Sequence, residues 1–299
     1  MTRTRAAAEF ITSHARLLDR RRHAALEAHD APARERTGTA VIRALEAYRN
    51  DDGGYGWGIE PDLRSPESQV AGALHALEAL ADAAPARSEE LPALLDWLRR
   101  TSLPDGGLPF ALPVQDPAAC APFWAAADPA ESSLQLTAAV TAQAHRLARQ
   151  DPRVAAHPWL ETATDYCFRQ IRSLGPEPFA YVLSFAVQLL DTCARTHPEA
   201  RELLALLARF IPEDGTIAVT GGAEGECLHL LDYAPWPGSA AQALFGEKAV
   251  ERDLDRLEQG QQEDGGWAAG FTSYSAAAAL EWQGYTTVRS LAVLRANGR

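Results

Sequence analysis

The densest run of reactive side chains lies between Trp57 and Gln69, "WGIEPDLRSPESQ". Glu60, Asp62 and Glu67 supply carboxylates, Arg64 a guanidinium, Ser68 a hydroxyl and Gln69 an amide, with Pro61 and Pro66 stiffening the segment. Such a loop can hold polar groups in fixed directions over a cavity. Asp62 or Glu60, with its pKa raised by burial, is suited to act as a general acid. Arg64 is suited to clamp an anion, and Trp57, Ser68 and Gln69 are candidate substrate contacts. The same residues also suit a helix start, with Ser65 as cap, Pro66 at the first position and Ser68–Gln69 in the first turn.

A second concentration is Glu226-Cys227-Leu-His229-Leu-Leu-Asp232-Tyr233. His229 and Asp232, three residues apart, could form an orienting pair for acid–base work. Cys227-x-His229 could face one metal ion, but a zinc site needs a second ligand cluster and none is evident, so no metal is expected. The alternative is a helix end stopped by Pro235 and Pro237, with Trp236 buried. A third group is aromatic: Phe123, Trp124, Trp159, Phe179, Tyr181, Phe185, Tyr274, Trp282 and Tyr285, with Phe110 in "LPDGGLPF". Phe110, Trp124, Tyr274 and Trp282 are the candidate substrate contacts among them, because ring faces attract cations; the alternative is ordinary core. Glu131, just before "SSLQL", is expected to cap its helix. Gly-x-Ser-x-Gly, P-loop and GxGxxG sequences are absent, so no cofactor is expected.

The elements that must carry these residues read as helices. Apolar residues recur at three and four in Val70–Leu80, Leu134–Leu147, Phe179–Leu190 and Glu199–Phe210. About eleven or twelve helical segments of roughly 12 to 22 residues are expected, forming about six hairpins. Strand-like alternation is confined to Thr216–Thr220. Between helices recur "NDDGGYGWG", "LPDGGLPF", "PEDGTIAV" and "QEDGGW", whose first glycines are Gly53, Gly106, Gly215 and Gly265. The gaps of 53, 109 and 50 residues indicate a period of about 50, with a degenerate copy expected near residue 160 in "DPRVAAHPWLE". Asp or Asn before glycine allows positive φ, ending one helix and reversing the chain. The residue two places on (Tyr55, Leu108, Ile217, Trp267) can then pack on the neighbouring hairpin.

Composition narrows the partners. The 299 residues carry a formal charge of −12, with 46% hydrophobic and 23% charged residues. That is globular composition, and the acidic balance argues against nucleic acid, whose phosphates need a basic face. Arg20-Arg21-Arg22-His23 reads as a solvated helix face. Four widely spaced cysteines without a CxxC pair suit reduced thiols, and no 18-residue apolar run or leader pattern is visible. A cytoplasmic protein without a membrane span is expected.

Gln261-x3-Gly265-x-Trp267 resembles the QxxxGxW core of the squalene-cyclase repeat, or QW motif, and "DDGGYGWG" and "PDGGLPF" resemble turns of protein prenyltransferase β-subunits. The chain thus resembles the prenyltransferase/squalene-cyclase-like superfamily (terpenoid cyclases and protein prenyltransferases). The resemblance implies an all-α fold, a single α/α toroid over residues 1–299 with inner and outer helix rings around an apolar cavity. Through "YRNDDGGYGWGIEPDLRSPESQ" and "LEWQGYTTVRSLAVLRANGR" it also looks like a group of actinobacterial proteins that carry this repeat without an established activity. The DxDD acid motif of class II cyclases is missing, Asp253-Leu-Asp255-Arg256 being the nearest string and expected to face solvent. DDxxD and the prenyltransferase zinc ligands are missing too.

The first expectation for function is a terpene-cyclase-like or isoprenoid-handling enzyme, with Asp62 or Glu60 as proton donor and aromatics lining an apolar cavity. The alternative is a non-catalytic toroid that binds a partner protein or a small apolar, isoprenoid-like ligand. A third reading is a lanthionine-cyclase-like zinc enzyme.

Overall fold

The computed structural model describes residues 2–299 and is mostly helical. In chain order the helices are α1 (Arg3–His14), α2 (Leu17–Leu26), α3 (Ala31–Leu45), α4 (Val70–Asp82), α5 (Leu91–Thr101), α6 (Pro122–Ala125) and α7 (Leu134–Ala148). There follow α8 (Pro152–Ala155), α9 (Pro158–Arg172), α10 (Ala180–Cys193), α11 (Pro198–Leu207), α12 (Leu230–Tyr233), α13 (Glu247–Gln259) and α14 (Ala276–Ala296). The four periodic segments became α4, α7, α10 and α11. The strand candidate at Thr216–Thr220 is β1 (Ile217–Ala218), paired antiparallel with β2 (Cys227–Leu228), which alternation alone did not reveal.

The chain divides into two compact units. One holds Arg16–Cys167 with Ser273–Ala278; the other holds residues up to Ala15, Phe168–Thr272 and Ala279–Arg299. In the first unit α4 is almost wholly enclosed, with eleven of its thirteen residues buried. Small residues (Ala71, Gly72, Ala73, Ala76, Ala79) let neighbours approach its backbone closely, and α7 packs along it. α5 is amphipathic instead, burying Leu91, Leu94, Leu95, Trp97 and Leu98 while Arg99 and Arg100 face water. In the second unit α10 buries Leu183, Ala186, Val187, Leu189 and Leu190 and packs against α11.

The glycine turns repeat in geometry as well as in sequence. Asn50, Leu103 and Gln262 donate their N–H groups to the carbonyls of Gly54, Gly107 and Gly266 at 2.9, 2.8 and 2.8 Å. Asp52, Asp105 and Asp264 accept from the N–H of the same second glycines at 2.8, 3.0 and 2.9 Å. The first glycines, Gly53, Gly106 and Gly265, hold φ of +90°, +93° and +94°. A Cβ on Gly53 would sit 2.8 Å from the Ala93 carbonyl oxygen of α5, and one on Gly106 would sit 3.1 Å from that of Thr162 in α9. On Gly265 it would overlap the Ala6 carbonyl of α1. Each turn therefore rests its bare Cα on the backbone of a helix remote in sequence. Tyr55, Leu108 and Trp267 are buried behind it as anticipated, while Ile217 is only half-buried.

The copy expected near residue 160 is not a turn of this kind. Asp151 accepts from the Arg153 N–H at 2.9 Å to cap α8, and α9 follows at Pro158. The connection from an amphipathic helix to a buried one lies further on, between α9 and α10, where Gly175 has no positive φ and no close neighbour.

Arg20 and Arg21 are exposed, but Arg22 turns inward, contrary to a wholly solvated face. Its Nε donates to Asp82 Oδ2 at 2.9 Å, beside the fully buried Asp19.

Candidate functional site

The polar loop does not enter α4 as a capped first turn. The helix begins at Val70 after Gln69, without a side-chain cap, and Ser65–Ser68 stay outside it. Most polar groups in the loop are engaged within the protein, the buried Ser65 hydroxyl being an exception. Ser68 Oγ donates to Asp52 Oδ1 at 2.7 Å, tying the loop to the first glycine turn. The Gln69 amide clasps the Leu112 backbone, donating to its carbonyl at 3.1 Å and accepting from its N–H at 2.8 Å. Trp57 is exposed, holds φ +58°, and donates its indole N–H to Asn50 Oδ1 at 2.8 Å. The Arg64 side chain is exposed.

Glu60 and Asp62 are both buried, at 5% and 4% exposure. Sequence spacing gave no hint of the Glu60 partner, His75, which α4 presents one turn below its start. His75 Nε2 lies 2.7 Å from Glu60 Oε2, and its Nδ1 lies 3.1 Å from Glu78 Oε2. Burial opposes charge on this imidazole, but the two carboxylates outweigh it and raise the pKa to about 9. At neutral pH the ring is an imidazolium held between two carboxylates, with both nitrogens donating.

Asp62 reaches a different group. Its Oδ1 accepts the Tyr274 N–H at 2.9 Å, and its backbone carbonyl accepts from Ala121 at 2.8 Å. Beside these bonds lies a cluster of four of the aromatic candidates, Phe110, Phe123, Trp124 and Tyr274. Phe110 stacks on Trp124 at 4.5 Å between ring centroids, and Phe123 meets Tyr274 edge-on at 5.7 Å. Phe123 also contacts Phe110 and Trp124, at 6.4 and 5.3 Å. The cluster borders an open cleft of about 320 Å³ lined by Phe110, Phe123, Ala127, Asp128, Glu131, Ser132 and Ser133. Phe123 and Tyr274 remain 48% and 57% exposed, which is unusual for rings with several aromatic neighbours available. Glu131 does not cap α7; Ser133 does, accepting from the Leu136 N–H at 3.3 Å, which leaves Glu131 at the cleft.

The other candidates lie in the second unit. Cys227 Sγ is 3.4 Å from His229 Nε2, and Asp232 Oδ2 accepts the His229 backbone N–H at 2.7 Å instead of orienting its ring. Burial, with the nearby Arg256 guanidinium, lowers the His229 pKa, so the imidazole is neutral at neutral pH. Trp236 is 38% exposed, not buried; α12 ends at Tyr233, and the chain emerges only after the buried Pro235. Asp253 is buried and accepts the Leu231 N–H at 2.8 Å, whereas Asp255 is exposed as expected. Trp282 packs edge-on between Phe271 and Tyr285. Among the described residues no group of three or more His, Cys, Asp or Glu side chains is placed to hold a metal ion. No helix among them is long and apolar enough to cross a membrane.

No family model and no curated protein matches the chain. A crystal structure of a protein from Actinoplanes is similar in fold, with a TM-score of 0.62 and 15% identity, covering 99% of this chain and 99% of that one. At that identity the likeness speaks for a shared architecture and leaves the chemistry to the residues.

Proposed function

We propose that this protein is a ligand-binding α/α toroid whose recognition site is the aromatic cleft. The observation that carries this reading is the pairing of exposed rings, Phe123 and Tyr274, with an open cleft of about 320 Å³, a size within the range of small-molecule sites. One feature supports the toroid: the last glycine turn rests on the first helix through Gly265 and Ala6. The ligand on this reading is small and largely apolar, since rings supply most of the contact area.

Binding is favoured over proton transfer because the polar loop is internally engaged. Both His75 nitrogens already face carboxylates, and Ser68 and Gln69 already bond within the protein. Titrating the labelled protein with geraniol, an uncharged isoprenoid alcohol, tests the reading. Saturable NMR shifts at Phe110, Phe123 and Ser132 are expected, and shifts absent from all three contradict it.

A second, catalytic reading keeps one observation in its favour: the Asp62 carboxylate is hydrogen-bonded at the aromatic cluster itself, through Tyr274. An isoprenoid-handling enzyme would use Asp62 as its acid there. Product formed from prenyl diphosphates or squalene, and lost in Asp62→Asn, would establish that activity; unchanged substrates would exclude it for them.

A further inference from the structure

We infer that the cleft takes a small organic cation, an ammonium head on a compact hydrocarbon body. This rests on the ligand-binding reading above and adds the ligand's charge.

The lining contains rings and carboxylates and no cationic side chain. Phe110 and Phe123 offer π-systems, and Asp128 and Glu131 offer negative charge. Ring faces carry negative quadrupole potential, so rings and carboxylates act in the same direction on a positively charged guest. The chain as a whole, with 40 acidic and 28 basic residues, adds a field of the same sign.

The carboxylates are also available. Among the described residues the exposed Glu131 carboxylate has no ion pair, and Asp128 accepts only the Ala130 N–H of its own turn, at 2.8 Å. The hydroxyls, by contrast, are occupied: Ser132 donates to Asp105 Oδ1 at 2.7 Å, and Ser133 caps α7. An uncharged apolar guest leaves two carboxylates beside it partly desolvated without compensation, so it binds more weakly than a cation of the same shape.

The test is a calorimetric and NMR titration of the full chain with choline and with 3,3-dimethylbutan-1-ol, its uncharged carbon isostere. Choline is expected to bind about tenfold more tightly, with shifts at Phe110 and Phe123, as cation–π attraction with a nearby carboxylate allows. Glu131→Gln and Phe123→Leu, both at exposed positions, are expected to weaken choline several-fold and leave the folded spectrum unchanged. Equal affinity for the two probes at the cleft overturns the cationic assignment while leaving the ligand-binding reading intact. Choline binding insensitive to both substitutions overturns it as well. Absence of cleft shifts with choline, the isostere and geraniol alike overturns both readings. A further arm with Nα-acetyl-lysine amide separates a free cation from a peptide-borne ammonium, and tighter binding of the lysine derivative overturns the small-molecule assignment.

Discussion

His75 Nε2 sits 2.7 Å from Glu60 Oε2, fixing the polar loop to the most enclosed helix of its unit. The contact joins residues fifteen apart in sequence, with Glu78 completing the arrangement from the next turn of α4. It ties the loop to α4, and it gives stability a pH signature.

That signature has a definite sign. The His75 pKa is raised from the ordinary 6.5 to about 9, so its charged form is the one that folding favours. The resulting stabilisation is fully present below about 6.5 and is lost as pH rises through about 9. An NMR titration of the His75 ring is expected to show a midpoint near 9, and the midpoint should fall in Glu60→Gln. The same variant should lose about 3 kcal/mol in urea unfolding at pH 7, the scale for breaking a buried pair. A His75 midpoint at or below 6.5 in the wild type would contradict this account.

Gly265 is held at φ +94° against the Ala6 carbonyl, so Gly265→Ala meets both backbone strain and overlap with α1. A loss of about 3 kcal/mol or more is expected. Gly238 also has positive φ, +69°, but nothing within 4 Å of an added Cβ. Gly238→Ala should cost only about 1 kcal/mol, the strain alone. Equal losses in denaturant melts would show that the contact with α1 contributes nothing.

Arg22→Met removes the buried member of a part-buried pair; Asp82, 29% exposed, keeps Arg146, and the fully buried Asp19 keeps Arg16. A loss of about 2 kcal/mol is expected by chemical denaturation. The exposed Arg5–Glu9 pair provides the contrast, with Arg5→Met expected to change stability by less than about 0.5 kcal/mol. A negligible effect at Arg22 would mean that the inward guanidinium is solvated in solution.

Phe123→Ala and Tyr274→Ala, at rings 48% and 57% exposed, should cost little stability, about 1 kcal/mol or less. Trp124→Ala, at a ring 8% exposed, should cost about 3 kcal/mol or more. Thermal melts that ranked the three alike would argue that Phe123 and Tyr274 are core residues rather than a recognition surface.

Helices and turns were legible because their causes are local. A positive φ demands glycine, and an Asp before it has one obvious N–H to accept, so Gly53, Gly106 and Gly265 announced three matching turns. His75 was not legible: within Val70–Leu80 a single histidine among alanines and leucines looks like core, and only the path of the loop brings Glu60 to it. The inward turn of Arg22 and of Asp253 was hidden for a related reason. Each sits on a charged helix whose pattern fits solvent, and its partner lies elsewhere in the chain or in the backbone of another segment. Among the aromatics, type pointed to Phe110, Trp124 and Tyr274 but equally to Trp282, which packs with Phe271 and Tyr285 instead. Asp128 carried no signal, since a carboxylate in "AAADPAESS" reads as an ordinary turn residue.

The most direct measurement is a residue-resolved NMR titration with geraniol, comparing wild type with Phe123→Ala. A ligand-binding cleft predicts saturable shifts centred on Phe110, Phe123, Ser132 and Ser133 that weaken at least several-fold in the variant. Shifts scattered over the surface, or unchanged by the substitution, would contradict it.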